Sequence, residues 1–329
     1  MRVVLAQLLF KKADFYLFDE PTNHLDIVAK EWFLRFLKNN IEHNFYNVCF
    51  RGFFSITSLY FQHMKQLKDK IVWITGATSG IGEALVYALA KEGAKVILSA
   101  RRKEELERVV KASGLTDGNC LVLPLDLAEN SDYSAQLKHA IEKFGRIDIL
   151  INNGGISQRS LARDTRLEVD RKIMEVNFFG TVSLTKAVLP TMLDQKSGLI
   201  VVTSSAVGKF GSPWRSGYSA SKHALHGFFD SLRAECYDDG LRVLIVCPGF
   251  IQTNVSMNAL TGNGEKLNQM DSATAQGLTA SEAAHQIVAA IKSGKEEVNV
   301  AGFKEKLGVW VKRHFPSIFS VMIRKMAVR

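Results

Sequence analysis

From about Met64 onward the sequence predicts a single main α/β domain built on a doubly wound parallel sheet. Three observations carry that expectation. Short runs of Ile, Val and Leu recur at intervals long enough to hold a helix. The first run ends in a glycine-rich turn, and the intervening segments show helical spacing. Near-continuous apolar strands alternating with helices fit a parallel sheet covered on both faces.

In chain order, residues 70–75 (KIVWIT) predict the first strand, ending in the glycine turn. Helical spacing follows through Ala84, Leu85, Ala88 and Leu89 and is closed by Gly93. Residues 96–99 predict the second strand, and 120–125, 147–151, 198–203 and 243–246 repeat the pattern. Such a sheet binds nucleotides at the carboxyl ends of its strands.

Residues 75–82 read Thr-Gly-Ala-Thr-Ser-Gly-Ile-Gly. Glycines there permit a tight strand-to-helix turn and close approach of the backbone to phosphate, with the helix N-terminus facing a pyrophosphate. Gly76, Thr78, Ser79, Gly80, Ile81 and Gly82 are therefore candidate dinucleotide contacts, and the fold expected is of the Rossmann type. The second predicted strand runs into Arg101 and Arg102, and no carboxylate follows until Glu104. A carboxylate at that place would favour NAD; two guanidinium groups suit a ribose phosphate. NADP(H) is the expected cofactor in preference to NAD(H).

Downstream, Tyr218 and Lys222 stand four residues apart on one predicted helix face. With the glycine turn, residues 152–155 (Asn-Asn-Gly-Gly) and the Pro248-Gly249 pair, they make the chain resemble the short-chain dehydrogenase/reductase family over about Met64 to Gly302. Gly154 replaces the alanine of that family's Asn-Asn-Ala-Gly motif. The resemblance implies that Tyr218 is the general acid/base, Lys222 its neighbour, Ser205 the hydroxyl beside the reacting oxygen, and Asn177 the holder of a proton-relay water. It implies that Asp126 and Leu127 lie near the adenine, that Asn153 and Gly154 line the cofactor, and that Pro248, Gly249, Ile251 and Thr253 close over the nicotinamide. The activity implied is hydride transfer between NADP(H) and a small carbonyl or secondary alcohol, without a metal, by a homodimer or homotetramer. An ordinary tyrosine titrates near pH 10; the Lys222 cation is expected to pull Tyr218 down, while Ser205 stabilises developing charge. A dinucleotide-binding sensor without turnover is the alternative on the same fold.

Residues 254–277 occupy the place of the family's substrate lid, and Met257, Leu260, Leu267 and Met270 offer apolar contacts there. Gln158, Arg159 and Trp214 are expected to border the pocket.

The front end differs in character. Residues 1–40 include Asp-Glu-Pro-Thr-Asn-His-Leu-Asp from Asp19 to Asp26. That run resembles the Walker B strand and following loop of ABC-F ATPases, in which Asp19 would serve Mg²⁺ and Glu20 the attacking water. The sequence holds no phosphate-cradling G-x-x-x-x-G-K-[ST] loop, so ATP hydrolysis is not expected. Residues 41–63 are aromatic-rich and aperiodic and read as a junction. Met64 reads as a natural start for the reductase, which suggests a fused or misassigned reading frame.

Composition bounds the rest. The 329 residues are 47% hydrophobic and 23% charged, which excludes collagen-like and disordered classes. Of the net charge of +9, residues 303–329 supply seven Lys/Arg against one Asp/Glu, so the excess lies in the tail rather than across a nucleic-acid-binding face. Four scattered cysteines fit a reducing cytoplasm and neither a zinc site nor a disulfide framework. The tail mixes its basic residues with Leu307, Trp310, Phe315, Ile318 and Met322. Such a basic amphipathic segment suits peripheral contact with an anionic membrane surface.

Overall fold

A computed structural model describes residues 66–129 and 132–325. The chain divides into two compact units, Met1–Gln62 and His63–Arg329, and the described residues all belong to the second. The ATPase-like segment with Asp19 and Glu20, and the junction at 41–63, lie outside the described residues.

Strands β1 (Ile71–Thr75), β2 (Lys95–Ser99), β3 (Cys120–Val122), β4 (Ile149–Asn152), β5 (Gly198–Thr203) and β6 (Leu241–Pro248) join an edge strand, Glu297–Val300, in one parallel sheet. In space β1 sits between β2 and β4, and the edge strand lies outside β6. The chain therefore leaves β1 toward β2 and β3 on one side and resumes with β4 on the other. Those opposed crossovers open a crevice at the carboxyl ends of β1 and β4, where such folds take ligands.

Successive side chains of each strand face opposite layers. Val72 and Ile74 join Leu85 and Leu89 of helix α1 (Gly80–Lys91) and Ile287 and Ile291 of the helix Ala280–Lys292 in one core. Trp73 faces the other core with Leu184, Val188, Leu225 and Phe229. Its indole N–H would be stranded there, but it donates to Ser99 Oγ at 2.9 Å, which in turn donates to Leu123 O at 2.7 Å. One polar thread thus ties β1, β2 and the end of β3 across the buried sheet.

The third strand is shorter than the sequence suggests, ending at Val122, because Pro124 brings no N–H to the ladder. The edge strand Glu297–Val300 escapes the sequence pattern because its Glu-Val-Asn-Val run is too polar to read as core; charge suits an exposed edge.

The crevice is closed by one hydroxyl. Thr75 Oγ1, at the end of β1 and buried, accepts the backbone N–H groups of Asn153 and Gly154, each at 3.0 Å, just past β4. Asn153 returns the bond, its Nδ2 donating to Thr75 O at 3.2 Å. The two strand ends on either side of the crevice are locked to each other.

Replacing Thr75 with the near-isosteric Val removes that acceptor from two half-buried donors. The substitution is expected to lower unfolding free energy by about 1 kcal/mol, the low end of the cost of leaving backbone donors unpaired. Urea denaturation of the two proteins measures it, and equal midpoints would show that the lock is dispensable.

Candidate active site

The glycine turn delivers the chain from β1 into α1. Gly80 opens the helix at φ +57°, in the left-handed region that suits glycine, and a Cβ there would meet Thr253 Cγ2 at 2.9 Å. Thr253, from the segment after β6, is therefore seated on the turn. Ser79 is the N-cap residue in extended conformation, yet its side chain makes no capping bond. The first-turn N–H groups of α1 are thus left by the cap side chain for another acceptor, and a pyrophosphate is the acceptor that a helix N-terminus favours. Thr78, Ile81 and Gly82 line the same turn. The donors and the close backbone approach fit a dinucleotide.

Around it, the other expected cofactor residues converge in part. Asn153 and Gly154 are held against Thr75 as described. A Cβ at Gly154 would stand 2.7 Å from Leu127 Cδ1 and 3.3 Å from Thr75 Oγ1, so a glycine suits the position better than the alanine of the family motif. Asp126 Oδ1 accepts the N–H of Ala128 at 2.9 Å, fixing the bend that presents Leu127. Arg101 and Arg102 are exposed at the carboxyl end of β2, and Arg102 caps the helix α2 (Lys103–Ser113). One cation near the turn was not singled out from the sequence. Arg108, a turn into α2, donates to Thr78 O at 3.1 Å and pairs with Glu83 at 2.8 Å. The sequence signal for it is Glu83 in the first turn of α1, which has no basic residue within reach on its own helix and is otherwise held by the Tyr87 hydroxyl at 2.5 Å.

At the end of β5 the residues that the resemblance marks as catalytic meet. Helix α3 (Ser216–Glu235) carries Tyr218 and Lys222 one turn apart. Its N-terminus is tied down by Gln158, which is fully buried and whose Oε1 accepts from Gly217 N at 2.8 Å and Tyr218 N at 3.2 Å. Gln158 therefore positions the catalytic helix instead of facing the pocket as the sequence suggested. Tyr218 is hydrogen-bonded to Ser205, whose Oγ also lies 3.4 Å from Pro248 O. Lys222 is buried, its Nζ donating to Thr203 O at 2.8 Å and lying 5.7 Å from the Tyr218 ring centre. Neighbouring Ser204 is occupied elsewhere, with its Oγ 3.2 Å from Lys222 O and 3.0 Å from His226 Nε2.

Asn177 sits in a π-turn, Glu175–Phe179, between the helices Leu167–Met174 and Gly180–Asp194. Such turns loosen the helix ladder and recur at functional sites. Its side chain is engaged with Ile156, accepting from N at 2.8 Å and donating to O at 2.9 Å, and donates to Ser221 Oγ at 3.0 Å.

The electrostatics differ from the expectation that Lys222 sets the acidity of Tyr218. Burial is the largest influence and raises the tyrosine above its ordinary value. Against it pull the Ser205 hydrogen bond and two guanidinium groups, Arg215 and Arg159. Lys222 is itself pushed down to about 8 by burial. The two guanidinium groups join the Lys222 ammonium, 5.7 Å from the ring centre, as cations beside the phenol. The arginines share one carboxylate: Arg159 Nε donates to Asp271 at 2.9 Å and Arg215 Nη2 at 3.5 Å, with all three residues buried. Arg215 also lies over the Phe250 ring, 5.3 Å from its centre, and its Nε is without a partner among the described residues. Two cations and one anion leave a net positive charge beside Tyr218.

The segment 254–277 is anchored by Asp271 and by Arg159 N donating to Leu260 O at 2.8 Å. Leu260 packs into a small core with Val169 and Ile173, so its apolar surface is spent inside the fold. Met257 and Leu267 are half-buried, Met270 is exposed, and Trp214 takes a positive φ of 68° beside Arg215.

Comparison with known proteins agrees with this geometry. A family model described as short chain dehydrogenase matches residues 70–264. Among curated relatives, a "Dehydrogenase/reductase SDR family protein 7-like" of Anopheles gambiae is 44% identical over 271 residues, 81% of this chain and 86% of that one. Among solved structures, a short-chain dehydrogenase from Streptomyces avermitilis is 28% identical with a TM-score of 0.66, covering 78% of this chain and 96% of its own. Another, from Burkholderia cenocepacia in complex with NADP, is 26% identical with a TM-score of 0.64, covering 78% and 98%. The ATPase resemblance of residues 1–40 is not borne out.

His226, two turns beyond Tyr218 and buried between Ser204 and Cys247, carries the prediction for this region. Burial, first of all, holds its imidazole down to about 4 against an ordinary 6.5. Below pH 6.5 the unfolded chain therefore takes up a proton that the folded one refuses, and stability falls as pH drops toward 4. Between pH 7 and pH 5 this one group is expected to remove about 2 kcal/mol. Urea midpoints of wild type and His226→Gln at the two pH values measure it; an equal acid loss in both proteins would rule the residue out.

Proposed function

The chain belongs to the short-chain dehydrogenase/reductase family, and from that premise we propose that it is an NADP(H)-preferring carbonyl reductase or secondary-alcohol dehydrogenase. The observation that carries this reading is the meeting of Ser205, Tyr218 and Lys222 at the end of β5, beside the uncapped helix and the glycine turn. The family members are oxidoreductases, and the Burkholderia cenocepacia neighbour was crystallised with NADP.

The first-turn N–H groups of α1 would hold the pyrophosphate and Arg101 and Arg102 the ribose phosphate, with Asp126 and Leu127 along the adenine side. Pro248, Gly249, Ile251 and Thr253 would cover the nicotinamide end, and Lys222 would hold the nearby ribose. When bound, the nicotinamide ring supplies or accepts the hydride. In reduction, Tyr218 Oη–H donates its proton to the carbonyl oxygen while Ser205 Oγ–H steadies the charge growing there. In oxidation, the Tyr218 phenolate takes the alcohol proton, and the Arg159–Arg215 pair stabilises that anion. Asn177 would hold a water through which the proton is passed on. The substrate is a small carbonyl or alcohol compound.

Thermal unfolding of the full chain with matched NADPH and NADH tests the cofactor assignment by mass action. NADPH is expected to raise the midpoint more than NADH. The double substitution Arg101→Ala and Arg102→Ala should cost NADPH affinity tenfold or more, the effect of losing charged hydrogen bonds worth about 1.5–3 kcal/mol. No shift with either dinucleotide would overturn the reading.

The pH profile of alcohol oxidation tests the chemistry. Tyr218→Phe should lower kcat by at least ~100-fold, the usual worth of a positioned acid/base. Arg215→Gln removes a cation that favours phenolate, so the acidic limb should move up by about one pH unit. A limb that stays in place would show that Arg215 does not act on Tyr218.

A further inference from the structure

The C-terminal helices, Phe303–His314 and Pro316–Lys325, fold back on each other and onto the domain. Their inward side is well used. Phe319 is buried against Phe210, Ala206 and Val207, with Val309, Val311 and Ile323 around it, in a small core that Tyr218 also borders. The single acid of the segment, Glu305, turns inward too, 3.4 Å from Phe250 N. Their outward side is different. Phe303, Leu307, Trp310 and His314 follow at helical spacing on one face of the first helix, and Phe303 is 79% and Trp310 50% exposed. His314 stacks on Trp310 at 4.8 Å. On the second helix Ile318, Val321 and Met322 form the matching face, with Ile318 56% exposed.

Among the described residues this apolar stripe has no partner, and cations flank it. Lys304 borders it on one side of the first helix and Lys306 and Arg313 on the other, all exposed. Arg324 is exposed on the second helix. A soluble monomer seldom exposes so continuous a row of large apolar side chains. A second protein surface would be expected to meet it with apolar groups and to leave carboxylates on the rim; the rim of the first helix is cationic. Lys and Arg beside an in-plane apolar face are the arrangement that rests on anionic lipid, their stems in the boundary and their charges among the headgroups. Among the described residues no helix is long and apolar enough to cross a membrane, so the contact would be in the plane of the surface.

We propose that this two-helix hairpin seats the enzyme on an anionic bilayer through Phe303, Leu307, Trp310, Ile318, Val321 and Met322. Because its buried side packs on the residues that follow Ser205, the lipid surface lies next to the substrate end of the site. The proposal does not depend on turnover, so it can fail or succeed apart from the reductase reading.

Sedimentation of the full chain with phosphatidylcholine vesicles, with and without phosphatidylserine, is the test. Binding is expected only with the anionic lipid and should weaken as salt is raised. Each basic residue near such a surface is worth about a factor of five, so Lys306→Glu with Arg313→Glu should weaken binding by on the order of 25-fold or more. Leu307→Ser with Ile318→Ser, both exposed and therefore neutral for folding, should weaken it comparably while melting stays as in wild type. No binding to either vesicle, or binding that both pairs of substitutions leave intact, would overturn the proposal. So would a dimer that the apolar pair dissociates without any vesicle binding, which would give the face to a second copy of the chain.

Discussion

The crevice between β1 and β4 is held at a fixed width by the Thr75 hydroxyl, and most of the site inherits its position from that lock. A parallel sheet fixes strands side by side, but at their carboxyl ends the connections diverge and the ladder gives out. There one side chain must replace the missing ladder bonds. Thr75 accepts two backbone N–H groups from the far side, and Asn153 answers with its own amide. Asn153 Oδ1 in turn faces Thr203 Oγ1 at 3.4 Å, and the carbonyl of Thr203 receives Lys222. A continuous path of hydrogen bonds thus runs from the glycine turn, across the crevice, to Lys222. Moving any strand end would move both the glycine turn and the Tyr218–Lys222 pair.

Much of this was legible in the sequence, for a physical reason. Buried parallel strands need unbroken Ile, Val and Leu, so 70–75 and 198–203 announce themselves, and the turn between β1 and α1 needs glycine at Gly80 because the backbone is left-handed there. Tyr218 and Lys222 are singled out by the family resemblance, and helical spacing puts them on one face. What stayed hidden depends on tertiary contact. Thr75 looks like the last residue of a strand, and nothing local tells that its hydroxyl spans to residues 78 positions later. Gln158 reads as a polar loop residue, yet it substitutes for an N-cap at Gly217, where the chain offers only Arg215. The pairing of Arg159 and Arg215 on Asp271 joins three loops that are far apart in sequence. Leu260 shows the opposite error: composition marked it as a substrate contact, but it faces Val169 and Ile173.

The site also sets two requirements against each other. Hydride transfer to a carbonyl benefits from excluding water, and here Lys222, Arg159 and Arg215 are buried while Tyr218 is half-buried. Burial, however, penalises every charged form. It lifts the Tyr218 phenol and lowers the Lys222 ammonium, both away from the ion pair that the sequence motif alone suggests. A lysine near 8 is a weaker source of positive field at neutral pH than a surface lysine. A guanidinium keeps its charge far more firmly: Arg215, although pushed down to about 10 mainly by burial, remains a cation at neutral pH. A firm share of the positive field at the phenol therefore comes from Arg159 and Arg215, which the motif does not contain. Asp271 neutralises only one of the two, and the remaining charge is what an emerging phenolate can use. In the proposed reaction the motif supplies the proton donor, and the two loop arginines add charge that eases the loss of its proton.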